Sequence, residues 1–246
     1  MNETTSNSDL AALEIRLRRD RALGDLALHY VHRAKREDAM GFLIGREALL
    51  ADWVTQSRGE VTIKADFGDM IAFDVAEGTK TQLVHKWVVR EGGKIISETL
   101  IENRLTGKAA PDIHPPLGEL RAGRGQYDAG ETPILPADFP SAAVPLATTL
   151  HRAWNGRSFD LYETYWLTKI TTLLPDATFY FERALTNENQ IAVLWRVHGH
   201  AANGQRVRLI GSSVMEFEAD EIRSDDTVID FAALDAQLSR SLIDYS

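Results

Sequence analysis

Residues 178–230, TFYFERALTNENQIAVLWRVHGHAANGQRVRLIGSSVMEFEADEIRSDDTVID, decide the fold. Apolar and polar side chains alternate along this stretch, as they do in strands that bury one face. Turn residues interrupt the alternation at 187–189 and 202–204. The predicted strands are Thr178–Ala184, Gln190–His200, Gln205–Glu218 and Glu221–Asp230. A short helix, Phe231–Leu238, is predicted to follow them.

Two helices are predicted before these strands. Apolar residues recur at helical spacing in Ala142–Trp154 and in Phe159–Leu174, and Pro175 ends the second pattern. Helices followed by a run of antiparallel strands are typical of an α+β domain. We therefore expect a C-terminal domain over residues 141–246.

The same order of elements occurs earlier in the chain. Helical spacing in residues 9–36 and 46–56 gives way to alternation from residue 61 onwards. The predicted strands are Val61–Ala65, Met70–Val75, Gln82–Val89 and Ile95–Arg104. Residues 107–140 hold six of the eight prolines and little periodicity, so they are interpreted as a linker. The N-terminal domain is expected over residues 9–106.

The repeated order predicts two tandem α+β domains of one fold. Each would be a curved antiparallel sheet wrapped around helices to form a pocket. Packing the two domains as an intramolecular pseudo-dimer would let the sheets cover each other's apolar faces. The sequence leaves open whether the whole chain also forms a homodimer.

The composition argues against several classes of function. A formal charge of −9 would repel nucleic acid, so that partner is not expected. The chain has no cysteine, no apolar leader and no apolar run of about 20 residues, which predicts a cytoplasmic protein without a membrane partner. Glycine-rich phosphate motifs, a nucleophile elbow and a zinc-peptidase motif are missing, so no cofactor is expected.

Three segments carry a resemblance to a known family. Residues 150–166 (LHRAWNGRSFDLYETYW), 191–207 (IAVLWRVHGHAANGQRV) and 213–238 (SVMEFEADEIRSDDTVIDFAALDAQL) resemble parts of SnoaL-like domains. Residues 45–53 and 87–103 are similar to the matching segments in the first half. These domains belong to the nuclear-transport-factor-two-like superfamily. The resemblance implies a cone whose helices close the concave side of the sheet, with an apolar cavity for a small apolar ligand.

The resemblance also implies an activity. The superfamily includes ketosteroid isomerases, polyketide cyclases and dehydratases, so we expect a cofactor-free enzyme that moves protons on a small apolar ring compound. Such chemistry needs a carboxylate or histidine in an apolar pocket and a donor for the developing oxyanion. The alternative is a non-catalytic module of the same fold that binds a small ligand or mediates assembly.

Asp226 and His198 are the candidate catalytic residues in the C-terminal domain. The resemblance places an acid on the closing strand, where alternation lets one of Asp225 and Asp226 face the cavity. We expect Asp226 to face it because this residue shares a face with Ser224 and Val228, and a solvated position at the sheet edge is the alternative. His198 would act as a proton shuttle or oxyanion donor, or lie on an exposed face of the sheet. His198 and His200 also have the spacing of a metal pair, but no third ligand follows at a recognisable spacing and no metal is expected.

Four further residues of the first half are candidates for ligand binding. Glu98 matches the acidic position of the closing strand that the resemblance implies. His85 and Trp87 would supply a polar group and an aromatic cover. Tyr30, on the predicted first helix, would point its hydroxyl into the cavity or pack as an amphipathic core residue.

Trp166 and Trp195 are the aromatic candidates of the second half. Aromatic walls suit a flat apolar ligand, and packing in the core is the alternative for both residues. Asp230 directly precedes the last predicted helix, so it is interpreted as the helix N-cap.

Overall fold

The structure is a computed structural model. It describes residues 23–38, 41–55, 60–77, 79–102, 133–156, 164–187, 189–218 and 221–239. The described residues up to 102 belong to one compact unit, and those from 133 onwards belong to a second. Both units combine helices with one sheet, so the chain has the predicted α+β class. None of the described helices is long and apolar enough to cross a bilayer.

The N-terminal unit is built on a six-stranded sheet. Its elements are α1 (Leu23–Ala27), β1 (Tyr30–Asp38), β2 (Gly41–Ile44), α2 (Arg46–Thr55), β3 (Glu60–Asp66), β4 (Met70–Glu77), β5 (Lys80–Glu91) and β6 (Lys94–Glu102). The strands lie in the order β2-β1-β6-β5-β4-β3, and all neighbours are antiparallel except β1 and β6. The helix α2 and the strands β3 to β6 confirm the predicted elements. Gly92 and Gly93, with φ values of 56° and 77°, close the β5–β6 hairpin as a turn with two positive φ angles requires.

The predicted helix over residues 9–36 is wrong from Tyr30 onwards. Residues 30–38 form β1, and Tyr30, Ala34 and Arg36 are buried while their neighbours on the strand are more exposed. β1 lies parallel to β6, with Arg36 in register with Glu98. This pairing joins segments about sixty residues apart, so local periodicity carries no sign of it. Residues 9–22 lie outside the described part of the chain.

The C-terminal unit has a four-stranded antiparallel sheet. A short 3-10 turn (Ser141–Ala143) leads into α3 (Val144–Trp154), α4 (Tyr165–Leu173), β7 (Thr178–Asn187), β8 (Gln190–His200), β9 (Arg206–Glu218), β10 (Glu221–Ile229) and α5 (Phe231–Ser239). The strand order is β10-β9-β8-β7. All four strands and the last helix agree with the prediction within a few residues. The four-strand meander of β3 to β6 in the first unit has the same order.

Five aromatic rings fill the space between the helices and the sheet of the C-terminal unit. They belong to Trp154 on α3, Trp166 on α4, Phe179 and Phe181 on β7, and Trp195 on β8. Ring centroids in this group lie 5.2–6.3 Å apart, and Trp166 stacks on Trp195 with an interplanar angle of 18°. Offset and tilted aromatic pairs at this separation are favourable packing geometries. The described part of this interior is therefore packed with side chains.

The helix α5 is fixed at both ends to the sheet. Asp230 is its N-cap as predicted, because Oδ1 accepts a hydrogen bond from the backbone N of Ala233 at 2.9 Å. Near the other end, Gln237 Oε1 accepts from the backbone N of Arg208 at 3.0 Å, and Gln237 Nε2 donates to the carbonyl of Arg208 at 2.8 Å. The Gln237 amide thus extends the ladder of β9 beyond the end of β10.

Part of the predicted linker belongs to this core. Leu135 and Phe139 pack against the C-terminal cluster, and the ring centroid of Phe139 lies 6.4 Å from that of Phe181. Residues 103–132 lie outside the described part of the chain. The predicted domain limits and the predicted pseudo-dimer stay predictions.

Candidate functional site

A cluster of buried polar side chains lies in the N-terminal unit. This buried cluster consists of Tyr30 and Arg36 from β1, Lys86 from β5 and Glu98 from β6. Their residues are 1%, 1%, 4% and 3% exposed, respectively. Charged groups are almost never buried to this degree without partners, so their mutual contacts decide what the cluster can do.

Strand register brings the cluster together on one face of the sheet. Glu98 lies directly opposite Val88, and Lys86 lies two residues away from Val88 on the same face. Val88 packs in a core group with Tyr30 and with Leu49 of α2. The buried cluster therefore lies on the face of the sheet that the helix α2 covers.

Tyr30 is the centre of the hydrogen-bond network. Its hydroxyl donates to Glu98 Oε2 at 2.6 Å and accepts from Lys86 Nζ at 3.1 Å. Lys86 Nζ also lies 3.0 Å from Glu98 Oε2, which closes a triangle of polar atoms. A hydroxyl and an ammonium thus converge on a single carboxylate oxygen.

Arg36 contacts the other oxygen of the same carboxylate. Its Nε lies 3.6 Å from Glu98 Oε1, and its guanidinium also forms an ion pair with Asp52 of α2. The Asp52 side chain is 36% exposed, so the network runs from a half-exposed carboxylate to a buried one. The network contains two acidic residues, Asp52 and Glu98, and two basic residues, Arg36 and Lys86, so it carries no net formal charge.

The pKa of Glu98 reflects opposing influences. Burial alone would raise this pKa, but the ammonium of Lys86, the guanidinium of Arg36 and the hydrogen bonds from Tyr30 and Lys86 hold it below its ordinary value. Glu98 is therefore ionised at neutral pH although it is buried. An ionised carboxylate beside a hydroxyl and an ammonium combines a base with two oxyanion donors.

Of the four candidates from the first half, the structure brings two together. Tyr30 and Glu98 share a hydrogen bond, although Tyr30 lies on a strand and not on the predicted helix. His85 and Trp87 are also buried, at 0% and 1% exposure, but they lie on the opposite face of β5 from Lys86. Their predicted roles in ligand binding stay predictions, at a location separate from the buried cluster.

In the second half the structure reverses the predicted facing of two aspartates. Asp225 lies on the face of β10 that meets the helices, and its Oδ2 accepts a hydrogen bond from Trp166 Nε1 at 3.1 Å. Asp226 is exposed on the other face. The expectation that Asp226 faces the interior is wrong, because the bulge between Ile222 and Ser224 sets the facing of the residues after it.

Trp166 and Trp195 are parts of one polar and aromatic chain in the core. Trp195 Nε1 donates to Ser213 Oγ at 3.0 Å, and Ser213 lies 2.6 Å from Thr227 Oγ1. Thr227 in turn donates to Asp225, which binds Trp166. The two indole rings therefore pack against each other and are held by hydrogen bonds, and a role in ligand binding stays a prediction.

His198 lies on the sheet face opposite the aromatic core. Val197 and Trp195 point into the core, whereas His198 alternates to the outside, 5.2 Å from the ring of Tyr180. Burial first, and then the nearby guanidinium groups of Arg208, Arg196 and Arg206, lower its pKa to about 4. Neutral His198 and exposed Asp226 thus lie on the outer face, and the catalytic role expected for each stays a prediction.

Lys86, Arg36 and Asp52 are the members of the network that sequence reasoning did not select. The sequence does contain a sign that Lys86 is buried. Lys86 shares one face of its strand with Val84 and Val88, and a charge between two apolar residues on the same face is unusual. Arg36 carries no such signal while residues 9–36 are interpreted as a helix, since an arginine on a solvated helix face is ordinary.

Comparisons with known proteins found similarity to solved structures. No family model matches the sequence, and no curated protein matches it. Among solved structures, the chain is similar to an NTF2-like protein of unknown function from Cytophaga hutchinsonii, with 16% identity and a TM-score of 0.35 over 42% of this chain and 95% of that chain. It is also similar to a candidate ketosteroid isomerase from Kribbella flavida (13% identity, TM-score 0.36, 43% of this chain and 82% of that one).

A third similar structure is a candidate polyketide cyclase from Bacillus cereus, with 14% identity and a TM-score of 0.35 over 39% of this chain and 78% of that one. Each of the three matches covers about two fifths of this chain.

Proposed function

We propose that the N-terminal unit catalyses cofactor-free proton transfer on a small apolar ring compound that carries a carbonyl group. The reaction would be an isomerisation, cyclisation or dehydration. The observation that carries the proposal is the convergence of the Tyr30 hydroxyl and the Lys86 ammonium on the buried, ionised carboxylate of Glu98. Base and oxyanion donors within hydrogen-bond distance of one point are what enolisation needs.

In the proposed step Glu98 removes a proton from the carbon next to the carbonyl. The electron pair of the broken C–H bond forms a C=C bond, and the carbonyl π pair moves to oxygen. Tyr30 and Lys86 donate hydrogen bonds to that oxygen. In a β,γ-unsaturated ketone the oxygen pair then re-forms the C=O bond, and the enolate C=C pair moves to the bond between the α- and β-carbons. The original C=C pair takes the proton back from Glu98 at the γ-carbon, which completes an isomerisation without any other reactant.

The hydrogen bond from Tyr30 links substrate binding to the basicity of Glu98. This bond is one of the interactions that hold the pKa of Glu98 low. When the hydroxyl turns from the carboxylate to a substrate oxygen, the carboxylate loses that stabilisation and its pKa rises. A stronger base is thus produced when the oxyanion donor is in place.

The N-terminal unit is favoured over the C-terminal unit because of what occupies the helix-covered face of each sheet. In the C-terminal unit this face holds five packed aromatic rings, and a carboxylate on it, that of Asp225, is engaged by Trp166 and Thr227. The N-terminal unit has charged and hydroxyl groups at the corresponding face.

A second candidate function is a non-catalytic module that binds a small ligand or serves assembly. The observation in its favour is that the charges balance within the network, with Glu98 between Lys86 and Arg36, and Arg36 also on Asp52. Buried ion pairs of this kind also occur where they only specify one packing arrangement.

Deuterium exchange separates the two candidates. The full chain would be incubated in D₂O with β,γ-unsaturated and saturated cyclic ketones, and exchange and isomerisation would be followed by NMR. Catalysis by the wild type, a loss of about 10²-fold or more in Glu98→Gln, and a smaller loss in Tyr30→Phe would support the enzyme. Asp235→Asn on α5 is the control, since that residue is exposed, and its rate should equal that of the wild type.

The enzyme proposal fails if Glu98→Gln and Tyr30→Phe, each folded by circular dichroism, exchange the ketones as fast as the wild type. It also fails if the wild type gives no rate above that of buffer while the ketones bind. That second result is what the binding module predicts.

A further inference from the structure

The chain contains two Asn-Gly pairs, and the structure holds them in different ways. Asn203 and Gly204 lie in the turn between β8 and β9, whereas Asn155 and Gly156 follow α3. Glycine has no side chain to shield its backbone nitrogen, so an asparagine before glycine is the one whose side chain that nitrogen attacks most easily. The product of this attack is a cyclic imide. Which of the two pairs forms it depends on the contacts of the asparagine.

The contacts of Asn203 favour the attack. Its Oδ1 accepts a hydrogen bond from the backbone N of Gln205 at 3.0 Å, which closes an Asx turn around the Gly204 nitrogen. The same N–H acts as an oxyanion donor, because negative charge develops on Oδ1 during the attack. The Gly204 N–H donates to the carbonyl of Ala201 at 2.8 Å, a single turn bond that opens before the reaction. Asn203 and Gly204 are both exposed, so water reaches them.

The contacts of Asn155 oppose the attack. Its Oδ1 accepts from the backbone N of Phe179 at 2.7 Å, and its Nδ2 donates to the carbonyl of Phe179 at 3.0 Å. Nδ2 also lies 2.9 Å from His151 Nδ1. Both ends of the amide are therefore bound to β7, and these bonds must break before the side chain turns to Gly156. Asn155 reacts only from a locally opened form of the protein.

We propose that Asn203 is a site of covalent self-modification, at which the folded chain converts asparagine into aspartate and isoaspartate. The Gly204 nitrogen forms a bond to Cγ of Asn203, and the bond from Cγ to Nδ2 breaks. The proton of the Gly204 amide leaves with Nδ2 as ammonia. Water then opens the imide at either carbonyl and returns a proton to the Gly204 nitrogen. This site lies in the C-terminal unit and does not depend on the proton transfer proposed for the N-terminal unit.

The two products differ in their effect on the turn. Aspartate at residue 203 keeps the oxygen that accepts from the Gln205 N–H. Isoaspartate routes the main chain through the former side chain and lengthens it by one carbon, so the Asx turn is lost. Gln205 also donates through Nε2 to the carbonyl of Gln237, which connects this turn to α5. We therefore expect the Gln205 amide hydrogen to exchange faster in the isoaspartate form than in the aspartate form.

The test is incubation of the full chain at mildly alkaline pH, followed by peptide mass spectrometry. Conversion of the amide to an acid changes the peptide mass, and electron-transfer fragmentation distinguishes isoaspartate from aspartate. In the folded protein we expect residue 203 to convert about tenfold or more faster than residue 155, because two hydrogen bonds to Phe179 hold Asn155. In guanidinium chloride these bonds are lost, so the two residues should convert at similar rates.

Asn203→Gln is the matched variant. It keeps a side-chain amide at an exposed position, but the attack must then close a larger ring. Conversion at residue 203 should disappear in this variant, while the rate at residue 155 should not change. The proposal is overturned if residue 155 converts as fast as residue 203 in the folded chain, or if residue 203 converts only in denaturant. Aspartate without isoaspartate at residue 203 would show direct hydrolysis and would also overturn it.

Discussion

The hydroxyl of Tyr30 lies 2.6 Å from Glu98 Oε2, although 68 positions separate the two residues in the chain. The parallel pairing of β1 with β6 makes this contact possible. It places the first strand of the chain directly beside the last strand of the unit. Burial removes water from both groups, so the hydroxyl and the ammonium of Lys86 replace the lost hydration of the carboxylate. The same contacts keep Glu98 ionised and hold the Tyr30 hydroxyl and the Lys86 ammonium in place.

A double-mutant cycle would measure the coupling between Lys86 and Glu98. We expect Lys86→Met and Glu98→Gln each to lower the free energy of unfolding by about 3–5 kcal/mol, because each leaves a buried charge without its main partner. The double variant should lose clearly less than the sum of the two. Urea denaturation of the full chain, followed for the N-terminal unit by amide exchange, gives the three values. Additive losses would show that the pair is not coupled.

The low pKa of Glu98 makes the stability of the N-terminal unit depend on pH. The pKa is lower in the folded state than the ordinary value of 4.5, so the unfolded chain binds the proton first as the pH falls. The stabilisation is complete above about the ordinary pKa and is lost as the pH falls towards the folded value. Denaturation of the wild type at a series of pH values from neutral to acid should give a free energy of unfolding that falls with falling pH.

Glu98→Gln is the matched variant for this measurement. A glutamine does not titrate, so its slope in the acid range should be smaller than that of the wild type. If the two slopes are equal, Glu98 does not keep a lowered pKa in the folded protein.

Gly211 explains how Trp195 fits into the C-terminal core. A Cβ at residue 211 would lie 2.3 Å from two carbons of the Trp195 ring, so the indole lies flat against a backbone without a side chain. We expect Gly211→Ala to cost about 1–3 kcal/mol through overpacking and to change the tryptophan fluorescence. Gly24→Ala is the control, because nothing lies within 4 Å of a Cβ there. Equal stability of Gly211→Ala and the wild type would contradict the tight packing.

Alternation and turn residues were enough to predict most of the fold. The strands of the C-terminal unit and β3 to β6 are antiparallel neighbours in sequence, so their signals are local. The sequence predicts a helix over β1 although the neighbouring β2 is local, because apolar residues at helical spacing continue from Leu23 to Val31 and the other partner, β6, lies far along the chain. Over a short stretch, the apolar positions of a helix coincide with those of a strand that buries every second side chain, so the two patterns are not distinguished there.

The candidate site was predicted only in part. Glu98 and Tyr30 were selected, but the contact between them depends on the β1–β6 pairing and could not be inferred. The choice of Asp226 over Asp225 failed for a different reason. Asp226 shares a face with the apolar Val228, which suggests from the sequence that this face is the interior. The bulge after Ile222 turns this face away from the aromatic core, so that Ile229 and not Val228 packs in that core.

Gln237 offers a test of how α5 supports the sheet. Its amide makes two hydrogen bonds with the backbone of Arg208, one as acceptor and one as donor. We expect Gln237→Ala to lose both and to lower the free energy of unfolding by about 1–3 kcal/mol, since each bond contributes about 0.5–1.5 kcal/mol. The amide hydrogen of Arg208 should exchange faster with D₂O than in the wild type.

Gln237→Glu separates the contributions of the two hydrogen bonds between residue 237 and the Arg208 backbone. A carboxylate still accepts from the Arg208 amide but cannot donate to its carbonyl, so the loss of stability should lie between those of the wild type and Gln237→Ala. Protection of the Arg208 amide should be retained in this variant because that bond is kept. If Gln237→Glu exposes the amide as much as Gln237→Ala does, the helix is held by other contacts and the amide of Gln237 does not extend the sheet.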